Sequence, residues 1–346
     1  MNLTEAFEHQ AISCGRLGSP FMAQLLQILA DCWPFESRVG KYFADFTGDV
    51  GPSGASLPLR IAGGLHALVL TGRSPGLQAV YPPQSVFDNI LKSEVLEALD
   101  THEAFLLDWV KSAPQTNEVR RCAALMPAAA VLCARIDLPV WLSELGASGG
   151  LNLMWDHFAM DLPGARMGAT APVLTLAPTW AGPLPPLDLP LIADRAGVDL
   201  NPLNPTHPDD LLRLTAYLWP DQPDRLERTR AAAAIMTAPV ARGDAIDWLE
   251  SRLEAAPDGH VHLIQHTVAW QYFPADAQAR GRRLIEAAGV RATTHKPLAW
   301  LALESDGDTK AAHGAVLSLR LWPGDHAFDL GRVDFHGRWV RWTGAD

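Results

Sequence analysis

The chain carries little charge, few cysteines and none of several familiar signatures. Only 19% of its 346 residues are charged, and the net charge is −11. No long Lys/Arg run offsets that balance. Phosphate neutralisation supplies most nucleic-acid affinity, so an acidic chain of this kind is a poor nucleic-acid binder. The same balance argues against anionic membrane surfaces. Cys14, Cys32, Cys122 and Cys133 form no C-x-x-C pair and fall in apolar, helix-like stretches. They read as reduced core residues of a cytoplasmic protein, not as ligands or nucleophiles. The opening MNLTEAFEHQ lacks the basic start and apolar core of a secretory signal. The longest apolar run, around 122 to 142, is broken by Arg135, Asp137 and Pro139, so no membrane span is expected. Internal repeats and low-complexity segments are absent.

What is present is a packed globular composition, 48% hydrophobic, long enough for one large domain or two medium ones. Residues 1 to about 136 read as helix after helix. In SPFMAQLLQILADCW, Ser19 can cap, Pro20 suits a first turn, and Phe21, Leu25, Leu26, Ile28 and Leu29 recur at helical spacing. The texture then changes. LPVWLSEL (138–145), AGVDLN (196–201), APVARGDA (238–245), HVHLIQHTVAW (260–270) and PLAWLALES (297–305) read as strands alternating with helices. AVLSLRLWP (315–323) and the segment 326–342 read as a closing antiparallel hairpin. This alternation predicts an α/β fold with a mostly parallel sheet. The expected organisation is an all-helical domain over 1–136 and an α/β domain over 137–346. A Pro-rich insertion at about 161–190 would form a loop or small hairpin.

LSELGASGGLNL, residues 142–153, supports two chemistries. As G-x-S-x-G it is Gly146, Ser148 and Gly150, a nucleophile elbow, with Asp244 and His266 following in the chain order of a hydrolase triad. Against this, an elbow follows several strands, whereas here a long helical stretch precedes it, and no H-G-G-G loop stands upstream. As E-x-G-x-x-x-G it is Glu144, Gly146 and Gly150, a loop that lets backbone approach a ligand closely at the end of a first parallel strand. Glycines at 146, 149 and 150 do not give the dinucleotide spacing, so no pyrophosphate is implied. Three acids end three successive strands: Glu144, Asp199 and Asp244. The bland alternatives are a strand-end carboxylate, a turn initiator and a helix N-cap.

ELGASGG, GVDLNP and RGDAIDWL, in that order, resemble the signature segments of class I S-adenosylmethionine-dependent methyltransferases across roughly 137–342. The resemblance implies a Rossmann-like seven-stranded sheet, parallel with an antiparallel closing strand. It also implies S-adenosylmethionine as cofactor. Glu144 would accept from the ligand's ammonium group, and Gly146, Ala147 and Gly150 would underlie its amino-acid end. Asp199, with Asn201 beside it, would take the ribose hydroxyls. Asp244, with Ala245 beside it, would take the adenine amino group. Along its whole length the chain more closely resembles a bacterial family designated domain of unknown function 2332, with similar versions of LGSPF, PQTNEV, VDLNPLNP and HTVAWQYFP. That resemblance brings no reaction with it. About fifty residues separate Gly146 from Asp199 where one helix would suffice, and the Pro-rich insertion accounts for the gap.

His266, ending the fourth strand, is the candidate general base. Trp270 and Tyr272 on the following loop would wall a substrate pocket. In PQTNEVRR, Gln115, Asn117 and Glu118 would face it; their bland reading is an ordinary helix start. His260, His262 and His266 share one strand face, but no H-E-x-x-H and no partner carboxylate accompany them, so no metal is expected. The expected function is methyl transfer to a small-molecule acceptor. The alternatives are a methyltransferase-like binding protein without chemistry, or a hydrolase using Ser148. The sequence leaves the acceptor and the oligomeric state open.

Overall fold

A computed structural model describes residues 1–51, 54–307 and 313–344. From the N-terminus run helices α1 (Leu3–Arg16), α2 (Pro20–Cys32), α3 (Arg38–Ala44), α4 (Leu57–Leu70), α5 (Pro75–Val80), α6 (Asp88–Thr101), α7 (Glu103–Trp109) and α8 (Cys122–Cys133). Strand β1 (Val140–Leu145) follows, then β2 (Ala159–Leu162), β3 (Ala165–Gly168), β4 (Thr175–Leu176), β5 (Thr179–Ala181) and β6 (Ile192–Asp199). After these come α9 (Pro208–Ala216), α10 (Pro223–Ala234), β7 (Val240–Arg242), α11 (Ala245–Ala255), β8 (Val261–Thr267), α12 (Ala275–Arg291) and β9 (Leu298–Glu304). The last strands are β10 (Ala315–Trp322), β11 (His326–Val333) and β12 (Trp339–Trp342). No helix among the described residues is long and apolar enough to cross a membrane.

Two compact units result. One comprises Met1–Thr116 with His207–Arg230, the other Asn117–Thr206 with Ala231–Asp346. The first is helical. Its α2 begins as the sequence predicts: Ser19 Oγ accepts the Met22 amide at 3.2 Å, Pro20 opens the first turn, and Phe21, Leu25, Leu26, Ile28 and Leu29 are buried. Asp221, distant in sequence, accepts the Phe21 amide at 3.0 Å. This carboxylate at a helix start satisfies a donor that no helical carbonyl can reach.

The second unit is built on a nine-stranded sheet in the order β5-β12-β11-β10-β9-β8-β1-β6-β7. The expected seven strands are therefore nine. Two differences account for this. The closing element is a meander of β10, β11 and β12, not a single hairpin. The Pro-rich segment contributes β5, which pairs in parallel with β12. The rest of that segment makes a separate three-stranded sheet, β3-β2-β4. Strands β7, β6, β1, β8 and β9 are mutually parallel. From β1 the chain passes to β6 on one side, and from β8 to β9 on the other. Strand order thus reverses between β1 and β8, where open α/β sheets bind ligands beyond the strands' carboxyl ends. Helix α8 is buried along almost its whole length, as its all-round apolar composition requires. Ile246, Leu249 and Ile285 of α11 and α12 pack with Leu145, Val198 and Ile264 of the sheet.

Candidate functional site

Glu144 sits in register with Gly197 of β6 and Gln265 of β8, at the point where strand order reverses. Its side chain is 2% exposed. Burial pushes its carboxyl up to about 8, with Asp199 adding to the rise and Gln265 and Arg121 opposing it. Oε2 is buried and has no hydrogen-bond partner among the described residues. A carboxylate oxygen left so costs roughly 1–3 kcal/mol or more, so the strand end holds an unmet demand for a donor.

The loop after Glu144 is held tightly. The Gly146 and Ala147 amides both donate to Val198 O, at 2.9 and 3.0 Å. Gly146 and Gly150 adopt φ of 69° and 74°, which glycine reaches without strain. A Cβ on Gly146 would stand 2.6 Å from that of Ala269, and one on Gly150 would strike Met236 and Val240. Ala147 is buried. Ser148 has φ 55°, and its Oγ is buried without a partner. Its amide donates to Asp199 Oδ2 at 2.9 Å, while Asp199 Oδ1 accepts from the Asn201 amide at 2.9 Å. Asp199 therefore ties the first loop to the end of β6. A 3-10 segment, Leu151–His157, follows the loop where an α-helix was implied. Its first amide, Leu151, donates to Asn117 Oδ1 at 2.9 Å.

The remaining predicted residues fall as follows. Asp244 Oδ1 caps α11, accepting from Ile246 and Asp247 at 2.8 and 3.0 Å. Ala245 is buried just behind it, and Asn201 Oδ1 accepts from Arg242 Nη1 at 3.2 Å. Buried Glu118 caps a short turn through the Arg120 amide at 3.2 Å. Gln115 is half-buried and belongs to the helical unit. His262 bonds Ser143 Oγ at 2.9 Å, and His260 lies beside the Asp258 carbonyl at 3.1 Å.

A second cluster lies at the ends of β8 and β9. His266 Nδ1 lies 2.7 Å from Glu304 Oε1, and its Nε2 accepts the indole N–H of Trp300 at 2.9 Å. With Nε2 an acceptor, the proton stands on Nδ1 and donates to Glu304. Glu304 Oε1 also accepts the Ala269 and Trp270 amides, both at 3.0 Å. Burial raises the Glu304 carboxyl, but these bonds outweigh it and hold the group below its ordinary value. Trp270 stacks on His266, with ring centroids 5.0 Å apart. His266, Trp270 and Tyr272 thus line one cleft, of about 680 Å³, together with Trp300 and Glu304. Sequence reasoning missed Glu304 and Trp300. Glu304 ends a parallel strand as Glu144 and Asp199 do, so the rule that singled those out also reaches it.

Ser148 is not paired with a histidine: His266 Nε2 is taken by Trp300, and Ser148 Oγ has no hydrogen-bond partner among the described residues.

The architecture is mixed α/β, with a large, mostly parallel sheet and a Gly-rich loop at its reversal point. The family described as "Uncharacterized protein conserved in bacteria (DUF2332)" matches residues 4–342, and the chain belongs to it. No curated protein and no solved structure matches.

Proposed function

We propose that the chain is an S-adenosylmethionine-dependent methyltransferase acting on a small-molecule acceptor. The observation that carries this reading is the buried, unpartnered Oε2 of Glu144 at the reversal point. A cationic donor such as the cofactor's ammonium group meets that demand. Gly146 and Gly150 keep the loop at positive φ and close against Ala269, Met236 and Val240, which holds the strand end in place beside Glu144.

Bound there, S-adenosylmethionine supplies a methyl made labile by the positive sulfur. The chain's part is to hold and align. Glu144 would hold the ammonium, the loop of Gly146, Ala147 and Gly150 would underlie the amino-acid end, and Asp199 and Asp244, at the next two strand ends, would serve the nucleoside. His266 is the candidate base. To act, it exchanges the Trp300 N–H at Nε2 for an acceptor hydroxyl, while Glu304 keeps the ring oriented through Nδ1. Alignment of the two reactants supplies the remainder of the acceleration.

The test is calorimetric titration and thermal unfolding with S-adenosylmethionine and S-adenosylhomocysteine, on wild type and Glu144→Gln. At a hundredfold excess over Kd the expected stabilisation is about 2.7 kcal/mol, a rise on the order of 5–10 °C. Glu144→Gln keeps the shape but cannot ionise to meet the ammonium, so the rise should shrink. No binding of either compound at millimolar concentration would overturn the reading. Tight binding with no turnover across a broad acceptor panel would favour a binding protein instead.

One observation favours a hydrolase: Ser148 combines positive φ with a free hydroxyl, as an elbow serine does. Labelling by a fluorophosphonate probe, abolished in Ser148→Ala, would establish that reading; no labelling removes it.

A further inference from the structure

The cleft at the carboxyl ends of β8 and β9 has the size of a small organic ligand site, about 680 Å³. Trp270, Tyr272 and Trp300 stand along it. Trp270 and Trp300 stand 5.5 Å apart, and Tyr272 offers a ring that is 71% exposed.

Among the described residues three ionic side chains line it, and two are already engaged. Glu304 accepts from His266 and from the Ala269 and Trp270 amides. Arg320 pairs with Asp325 and Glu286. The third, Arg282 of α12, has no hydrogen bond or ion pair among the described residues. Among the described residues that line this cleft, the charge left unmet is the Arg282 guanidinium.

The wall is also preorganised. Val268, a β-branched residue, is held at φ 51°, a conformation such residues rarely adopt. Its amide is fixed to Leu303 O at 2.8 Å, and Glu304 clamps the next two amides. Strain of this kind persists only where the surroundings over-determine it, and it concentrates at ligand sites. The same turn presses Ala269 against Gly146, so the cleft adjoins the Gly-rich loop.

We propose that this cleft binds a planar aromatic molecule bearing a carboxylate, with the ring against the Trp270–Tyr272 wall and the carboxylate on Arg282, and that this molecule is the methyl acceptor. The acceptor role rests on the methyltransferase reading; the binding site does not. Guanidinium and carboxylate form charge-assisted, often bidentate bonds. Flat rings are preferred by aromatic walls over puckered ones of similar bulk.

The test is calorimetric titration of the whole protein, without cofactor, with indole-3-carboxylate, indole-3-carboxamide and cyclohexanecarboxylate. Indole-3-carboxylate should bind at least about five-fold more tightly than either of the others. Arg282→Gln, on an exposed position, should bring it down to the carboxamide and leave the carboxamide unchanged. Tyr272→Ala should weaken both indoles alike. Equal affinity for carboxylate and carboxamide, a preference that survives Arg282→Gln, or no binding at 5 mM would each overturn the site. Repeating the titration with saturating S-adenosylhomocysteine addresses the acceptor role: affinity should rise at least about two-fold, and unchanged affinity overturns that role alone. Because the first titration contains no cofactor, failure there leaves the cofactor site standing, and failure of the cofactor to bind leaves the first result standing.

Discussion

Asn117 Oδ1 accepts the Leu151 amide at 2.9 Å, joining residues 34 positions apart. Asn117 is 6% exposed, so this bond forms out of water. It satisfies the first donor of the 3-10 segment and fixes the exit of the Gly-rich loop. Asn117→Ala leaves that amide without a partner, and the sheet unit should lose about 1–3 kcal/mol. Denaturant unfolding reads the loss, and amide exchange at Leu151 should quicken. An unchanged midpoint would mean that water replaces the side chain and that Val198 and Asp199 suffice to hold the loop.

Gly146→Ala places a methyl 2.6 Å from the Ala269 Cβ, at φ 69°. The left-handed conformation costs about 1–2 kcal/mol, and crowding adds about 1–3. A loss of roughly 2–5 kcal/mol is expected, together with a displaced Trp270 loop, visible as a change in tryptophan emission. A variant as stable as wild type would show that the two loops separate at little cost.

Glu144 and His262 give the sheet unit opposite pH dependences. Glu144 rises from 4.5 to about 8, chiefly through burial. Folding strengthens its hold on the proton, so its contribution is complete below pH 4.5 and is lost as pH rises through about 8. His262 falls from 6.5 to about 3, chiefly through burial, with Arg252 and Lys296 adding. Its contribution is complete above pH 6.5 and is lost as pH falls through about 3. From these two groups, stability should be flat between 4.5 and 6.5 and decline on either side, by about 1.4 kcal/mol per pH unit. Glu144→Gln should remove the alkaline decline, and His262→Asn the acid one. Urea midpoints from pH 3.5 to 8.5 measure both, and an alkaline limb intact in Glu144→Gln would assign it to another group.

Cys14 and Cys122 should be inert in the folded protein. Burial raises Cys14 to about 11 and Cys122 well above its ordinary value. Reaction with an aromatic disulfide reagent, read by peptide mass, should spare both until denaturant is added. Native labelling of Cys122 at the unfolded rate would require the core around α8 to open readily.

Much of this arrangement is legible in sequence, and the divide follows range. Helix α2 is readable from Ser19, Pro20 and a repeating apolar face, because capping and periodicity are local. The acids that end parallel strands are readable for the same reason: each follows a short apolar run. Pairing partners are another matter. Thr179–Ala181 carries three residues and no signal that it belongs beside Trp339–Trp342, so the sheet was expected to be narrower than it is. The bond from Asn117 to Leu151 makes a plain helix start into a support for the loop, which no spacing rule predicts. The indole of Trp300 on His266 is equally invisible, since it depends on the register of β8 against β9.

The parallel pairing of β5 with β12 has a consequence for how the chain is made. Ala181 leaves the ribosome roughly 160 residues before Trp339, an interval on the order of 10–30 s at ordinary synthesis rates. Throughout that interval β5 has nothing to lie against, and the open margin of β11, once paired with β10, is a template for any stray strand. Nascent chains of this protein thus pass through a window in which the sheet's outer border is uncovered. The window ends when β12 pairs with β11 on one side and β5 on the other.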